Sequence, residues 1–268
     1  MFFKKAWAFL KRDMIEAFSY KVAFFFDLVG MVANILTFFF IAQLIGPAVV
    51  PQLQGYGGYF PFVLIGIALA QFQSAAMNSF AGAIQKEQGH GTLEAILITP
   101  TSLAVIAFSG ALWDLFFVFL KMVAYLAIGA IFFGIDLSRL NILAAVLILI
   151  LTVTSLAGFG FFSAGFVLVF KRGDPINYFM NGFSRFLSGV YFPISVLPFW
   201  VQKCSWLIPW TYSLEAMRMA LLEGKSVFEL ANPIISLILF SILFLPSGLL
   251  FFRWSVKQAK REGSLVFY

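Results

Sequence analysis

Long apolar runs separated by short polar breaks organise this chain. A hydrocarbon core takes about 20 apolar residues per helix. On that ruler, runs fall at roughly 22–46, 60–84, 102–133, 141–170, 176–192 and 232–252, which predicts six spans. The third run is long and contains Asp114 and Lys121, so two spans there are an alternative. A tight turn would want Gly, Pro or Asn. The stretch "ALWDLFFVFLKMVAYL" has none, and one long helix is expected.

Two segments depart from the span pattern. The first 21 residues, "MFFKKAWAFLKRDMIEAFSYK", place Phe3, Trp7, Leu10, Met14 and Phe18 on one helical face, with Lys5, Arg12, Asp13 and Glu16 pointing away. Such a helix lies along the inner interface, as an anchor or as a grip on a cytoplasmic partner. The apolar run after it exceeds the 7–15 residues of a leader's core and no A-x-A-like site closes it, so no cleavable leader is expected. Residues 193–224, within "FPISVLPFWVQKCSWLIPWTYSLEAMRMALLEG", are apolar but broken by Pro193, Pro198 and Pro209. Each proline removes a backbone donor, which predicts short helices that dip into the membrane and return. That is allowed only where protein or a cavity satisfies the backbone. Trp200, Trp206 and Trp210, with Tyr191 and Tyr212, suit the headgroup boundary.

Composition confirms the class. The 268 residues are 62% hydrophobic and 11% charged, with mean hydropathy +0.96, against about 45–50% apolar and 25% charged in soluble domains. An all-α integral membrane protein of one domain, 1–268, is expected. Cys204 is the sole cysteine, so no intrachain disulfide can form, and neither a metal site nor redox chemistry is indicated. A formal charge of +6 could point to nucleic acid in a soluble protein, but here the basic residues report topology. With both termini inside, the inner segments hold Lys4, Lys5, Lys11, Arg12, Lys21, Lys86, Lys171, Arg172, Arg253, Lys257, Lys260 and Arg261. The outer ones hold Arg139, Lys203, Arg218 and Lys225. The positive-inside rule therefore predicts a multi-pass protein with both termini cytoplasmic, the loop at 85–101 inside and 193–224 outside, and a bacterial or archaeal cytoplasmic (inner) membrane is the expected location.

Three charges fall within spans. Asp114, Lys121 and Arg185 would each cost about 2.5–3.5 kcal/mol at the bilayer centre and should face protein or water. Asp114 and Lys121 share a face but stand about 10.5 Å apart along the axis, which leaves Arg185 as the expected partner of Asp114. Structural pairing, a proton or ion relay, and polar lining of a path are the open readings. Asp27 is expected at the inner interface.

The loop "QKEQGHGTLEAILITP", residues 85–100, is a well-punctuated polar interruption. Thr92 is a good N-cap, Glu94 sits where the helix dipole favours an anion, and Pro100 ends the helix. Leu93, Ile96 and Leu97 share one side, while Gly89 and Gly91 free the backbone to turn. These features alone describe a connecting loop or a short interfacial helix.

The same residues carry a resemblance. "EQGHGTLEAILITP" is similar to the E-x-x-x-G-T-x-E-x-L-x-x-T-P pattern of permease subunits in the type-2 ATP-binding-cassette exporter family, matched by Glu87, Gly91, Thr92, Glu94, Leu97, Thr99 and Pro100. The outer segment resembles that family's F-P, L-P, P-x-T-Y, E-x-x-R and L-x-G sequence through Phe192, Pro193, Leu197, Pro198, Pro209, Thr211, Tyr212, Glu215, Arg218, Leu222 and Gly224. The resemblance implies that Glu87, Gly91–Glu94, Ile96, Leu97 and Pro100 build a coupling helix seated in a separate cytoplasmic ATPase, present in two copies. It also implies a second permease half, expected to be a copy of this chain, with the translocation path between the halves. MgATP would bind the ATPase partner, and no cofactor is expected in this chain. The G-T-x-E form is more like the drug and lipid branch, so an amphipathic, drug-like or lipid-linked cargo is expected. Gln88 and His90 stand where the family often carries a second basic residue, which removes an ion pair expected there.

A phosphate-cradling loop needs G-x-x-x-x-G-K-[ST] after a strand. "GKS" at Gly224–Ser226 has Met219 in place of the first glycine, so ATP hydrolysis is not expected of this chain. His90 is the only histidine and lacks a nucleophile or paired carboxylates beside it, which argues against an enzyme. An ATP-independent carrier or channel using the intramembrane charges is the alternative to the exporter.

Overall fold

The computed structural model describes residues 2–19, 21–46, 51–92, 103–170 and 174–261. Among them the α-helices are α1 (Phe2–Ser19), α2 (Lys21–Ile45), α3 (Tyr59–Gly89), α4 (Leu103–Phe133), α5 (Ile142–Phe170), α6 (Pro175–Leu187), α7 (Phe199–Ser205), α8 (Pro209–Leu222) and α9 (Ala231–Arg261). Short 3-10 turns occupy Pro51–Tyr56 and Ile194–Val196. Five helices, α2, α3, α4, α5 and α9, are long and apolar enough to cross a membrane. The third apolar run is one unbroken helix of 31 residues, as its lack of turn formers predicts.

The run expected at 176–192 is shorter than anticipated. Its helix α6 has 13 residues, about 20 Å, against a hydrocarbon core of about 30 Å. Its start is well defined, because Asp174 caps the Asn177 amide and Pro175 occupies the first turn. It stops at Ser188, where Gly189 takes φ +80° and turns the backbone out of the helix.

Helix α3 is the axis of the bundle and is buried along most of its length, with α4, α5 and α8 packed around it. Helices α5 and α9 meet through small residues: a Cβ on Gly158 would lie 2.2 Å from the Phe244 carbonyl oxygen, and one on Gly248 would lie 2.2 Å from that of Gly158. Lipid offers helices no hydrophobic drive to associate, so close backbone approach through glycine supplies the contact.

Residues 188–222, which include most of the segment expected to be re-entrant at 193–224, form a hairpin against α3. Gly189 and Val190 lie beside Phe62 near the start of α3, because the Arg218 guanidinium bridges all three: Nε donates to Phe62 O at 3.1 Å, and Nη2 to Gly189 O and Val190 O at 3.0 and 3.1 Å. Twenty residues later Trp210 has reached the middle of α3, where Gln73 Nε2 donates to its carbonyl at 3.1 Å. The chain thus descends about 10–16 Å along α3. Helix α8 then returns it, Ser213 meeting Thr152 at 2.5 Å and Ala220 accepting the Asn141 amide at 2.9 Å. Trp210 corrects the headgroup expectation. It is 2% exposed and packs on Met77, Leu156 and Phe159, because Pro209 begins α8 at the deepest point of the hairpin. Trp200 and Trp206 remain exposed.

Gly66 makes the Arg218 cluster possible. A Cβ there would sit 2.4 Å from Val190 O and 2.6 Å from Arg218 Nη2. Gly66→Ala should therefore lower the unfolding midpoint of the purified protein by the equivalent of about 3 kcal/mol or more. Gly82→Ala, on the same helix with open space at its Cβ, should be neutral or stabilising by under about 1 kcal/mol. Equal midpoints for the two variants in a detergent melt would contradict this packing.

Candidate functional site

The first cluster joins α1 to the end of α3 that precedes the polar loop. Glu87, in the last turn of α3, is 2% exposed. Its carboxylate accepts from Arg12 Nη1 at 2.7 Å and from the Thr92 hydroxyl at 2.5 Å. Asp13, 5% exposed, accepts from Arg12 Nε and Nη2 and from Lys86 Nζ at 3.0–3.1 Å, and Lys86 also pairs with Glu16 at 2.7 Å. Burial alone would lower the Arg12 pKa, but the Glu87 hydrogen bond and the charges of Asp13 and Glu87 outweigh it and hold the group above its ordinary value. The polar face of the amphipathic helix is therefore turned inward onto α3, while Trp7 on the opposite face is exposed. Gly91, at φ +67°, turns the chain after α3, and the Thr92 amide bonds back to Glu87 O. Thr92 thus ties the loop to Glu87. The expected positions of Leu93, Glu94, Ile96, Leu97 and Pro100 lie outside the described residues.

The second feature is a groove of about 670 Å³ between α3 and α6. From α3 it is lined by Ser74, Asn78, Gly82 and Gln85, and from α6 by Asn177, Tyr178, Asn181, Gly182 and Arg185, with Asp174 at the end near the cap. Both stripes follow helical spacing, and the two helices are stitched by Asn181 Nδ2 donating to Asn78 Oδ1 at 2.9 Å. The other face of α6 carries exposed Phe179, Phe183 and Phe186.

The intramembrane charges are arranged differently from expectation. Lys121 pairs with Asp27 on α2 at 2.6 Å and lies over the Phe117 ring, an exposed pair that ties α2 to α4. Asp114 and Arg185 form no ion pair, which corrects the expected pairing. Asp114 lies on the α4 side of α3, in a cavity of about 170 Å³ with Arg12, Lys86 and Trp113, whereas Arg185 opens into the groove on the α6 side. Gly82 is the residue common to both cavities. Among the described residues neither Asp114 nor Arg185 has an opposite charge within 4.0 Å.

In the proline-broken segment, Pro198 and Pro209 start α7 and α8, and Pro193 precedes the 3-10 turn. Tyr212 donates to Trp206 O at 2.9 Å, and Glu215 is half-buried one turn before Arg218. The amide stripe of Asn78, Asn177 and Asn181 was not singled out from sequence. Its signal was there in the four-residue spacing of 177, 181 and 185.

A family model described as ABC-2 type transporter matches residues 4–222. No curated protein matches the chain.

Removal of one partner strands a buried charge, whereas removal of both does not. Arg12→Gln should therefore destabilise the purified protein by about 3 kcal/mol, near the low end for such a loss because Arg12 is itself 42% exposed. Glu87→Gln should cost less, and the double variant less than Arg12→Gln alone. Additive losses in thermal melts would mean that the two groups act independently.

Proposed function

The chain belongs to the ABC-2 type transporter family, and from this we propose that it is the permease subunit of an exporter driven by a separate cytoplasmic ATPase. Family membership makes it a multi-pass membrane transport component that partners an ATPase subunit. In the proposed topology the chain crosses six times with both termini cytoplasmic. The fifth crossing joins α6 to the non-helical residues that Arg218 holds, and the hairpin of α7 and α8 opens to the outside. Residues 91–99 are the coupling helix, and MgATP is bound by two copies of the ATPase.

The observation that carries this reading is the buried Glu87 carboxylate, held by Arg12 from α1 and by Thr92 from the loop. A connecting loop needs no buried carboxylate at its root. A segment that must transmit force does, because a rigid base converts loop displacement into movement of α1 and α3. Two permease halves, copies of this chain, would face each other across the groove. Helix α2 leaves most of its length uncovered, which suits a second half beside it. The cargo is amphipathic, drug-like or lipid-linked. The ATP-independent carrier has less support, because Lys121 is already committed to Asp27.

Truncating a buried interface anchor costs about 2 kcal/mol, roughly thirtyfold in affinity, and a helix cap about 1 kcal/mol. Leu97→Ala and Glu94→Lys should therefore sharply reduce both co-purification with the ATPase and transport-coupled hydrolysis, in a permease that still elutes as a single species. Thr92→Ala should give a smaller loss of the same kind. Parental binding and hydrolysis in all three variants would reduce the segment to a connecting loop.

A further inference from the structure

Arg185 lies in α6 between two fixed heights on α3. Asn181 bonds Asn78, and Val190 reaches Gly66, so Arg185 stands opposite the middle of α3 beside Ser74, which lines the same groove. A cation at that depth needs an opposing charge. The described residues supply none within ion-pair distance. Asp174, the acid at the other end of the groove, is 11 positions away, about 16 Å along the helix. It is already committed, capping the Asn177 amide and accepting from the Asn177 side chain and the Ser163 hydroxyl.

The amides add a second requirement. Asn177 is 5% exposed, yet its Oδ1 has no donor, and Asn181 Oδ1 is likewise unpartnered and buried. Their amide nitrogens are engaged with Asp174, Asn78 and the Asn177 carbonyl. One helical turn and two turns from Arg185, the groove wall thus carries buried carbonyl oxygens that lack donors, which rotation of the Asn177 and Asn181 side chains would present to a ligand. An anion at Arg185 with hydroxyl or amine hydrogens about 6–12 Å away satisfies both.

We propose that this groove binds the anionic, hydroxyl-bearing head group of an amphiphile, with Arg185 holding the negative group and Asn177 and Asn181 accepting from the hydroxyls. The proposal rests on the permease reading for its biological meaning, but binding to the chain alone tests it without the ATPase. The tail stays in lipid beside Phe179 and Phe183, exposed on the same helix. Guanidinium suits a phosphate because it offers paired donors to two oxygens.

The test is microscale thermophoresis of the full chain in an uncharged maltoside detergent, titrated with four probes. These are dioctanoyl phosphatidylglycerol, dioctanoyl phosphatidylcholine, glycerol 3-phosphate and dodecyltrimethylammonium. Phosphatidylglycerol should bind saturably and about tenfold tighter than phosphatidylcholine. Arg185→Gln should lose about tenfold of that affinity, Arg185→Lys about threefold, and Asn181→Leu about threefold. Arg185→Glu should bind the cationic probe in preference. The lysine variant separates loss of charge from loss of fold, as does elution as a single species. Unchanged binding in Arg185→Gln, or equal binding of the two phospholipids, overturns the site. Glycerol 3-phosphate binding as tightly as the lipid overturns the amphiphile and leaves a soluble phosphate compound. Tighter binding of the cationic probe by the parent overturns the sign of the charge.

Discussion

The three hydrogen bonds from Arg218 to Phe62, Gly189 and Val190 are the constraint on which this architecture turns. Where α6 ends short, the backbone at 188–190 leaves the helix inside an apolar bundle, and its carbonyls have no water to bond. One guanidinium satisfies two of them and anchors α8 to α3 in the same act, with its plane against the Phe62 ring at 3.4 Å. It makes no carboxylate pair within 4.0 Å among the described residues, and carbonyl dipoles and an aromatic face take that place. Gly66 is the matching concession on α3. Because Val190 is held there, α6 is held at a fixed height and angle, and the groove between α3 and α6 follows from it.

Other polar groups of the bundle also make contacts from helix to helix. Thr152 meets Ser213, Gln73 meets the Trp210 carbonyl, Gln71 meets the Tyr125 hydroxyl at 2.8 Å, and Lys121 meets Asp27. At the α1 end the charges are denser, and Arg12 and Lys86 hold Asp13, Glu16 and Glu87 together across α1 and α3. Unpartnered buried atoms also remain at Gln73 Oε1, Gln88 Oε1, Ser109 Oγ and Ser255 Oγ, and the groove is set apart by combining two such atoms with a guanidinium. Its amides are only partly satisfied, and its guanidinium faces open space. A rigid frame and an unsatisfied stripe are what a binding path requires, since a fully paired core has nothing left to offer a cargo.

Much of this was legible in the sequence, for reasons tied to particular residues. Long apolar runs and the absence of turn formers in 111–126 fixed α4 as one helix, and prolines marked the starts of α7 and α8. The amphipathic pattern of residues 2–19 was visible, but its polar face was not readable as an inward one, because the partner residues Lys86 and Glu87 are over 70 positions away. The same limit misassigned the charges. Spacing within one helix excluded an Asp114 and Lys121 pair but could not show that α2 brings Asp27 to Lys121, or that α3 stands between Asp114 and Arg185. An apolar count also cannot see that Gly189 ends α6 early. Nor can aromatic composition tell a boundary tryptophan from Trp210, which the depth of Pro209 alone decides.

In the proposed permease the two halves meet across the groove between α3 and α6, so the polar stripe of that groove should be reached by water. Substituted-cysteine accessibility in native membranes tests it, after Cys204, which is exposed, is replaced by serine. Ser74→Cys, Asn78→Cys, Gln85→Cys and Asn181→Cys should react with a charged, membrane-impermeant thiol reagent. Phe179→Cys and Phe183→Cys, on the opposite face of α6, should not. Near Arg185 an anionic reagent should react faster than a cationic one of equal size. Reactivity that is uniform around α6, or absent from the α3 and α6 stripe, would contradict the account.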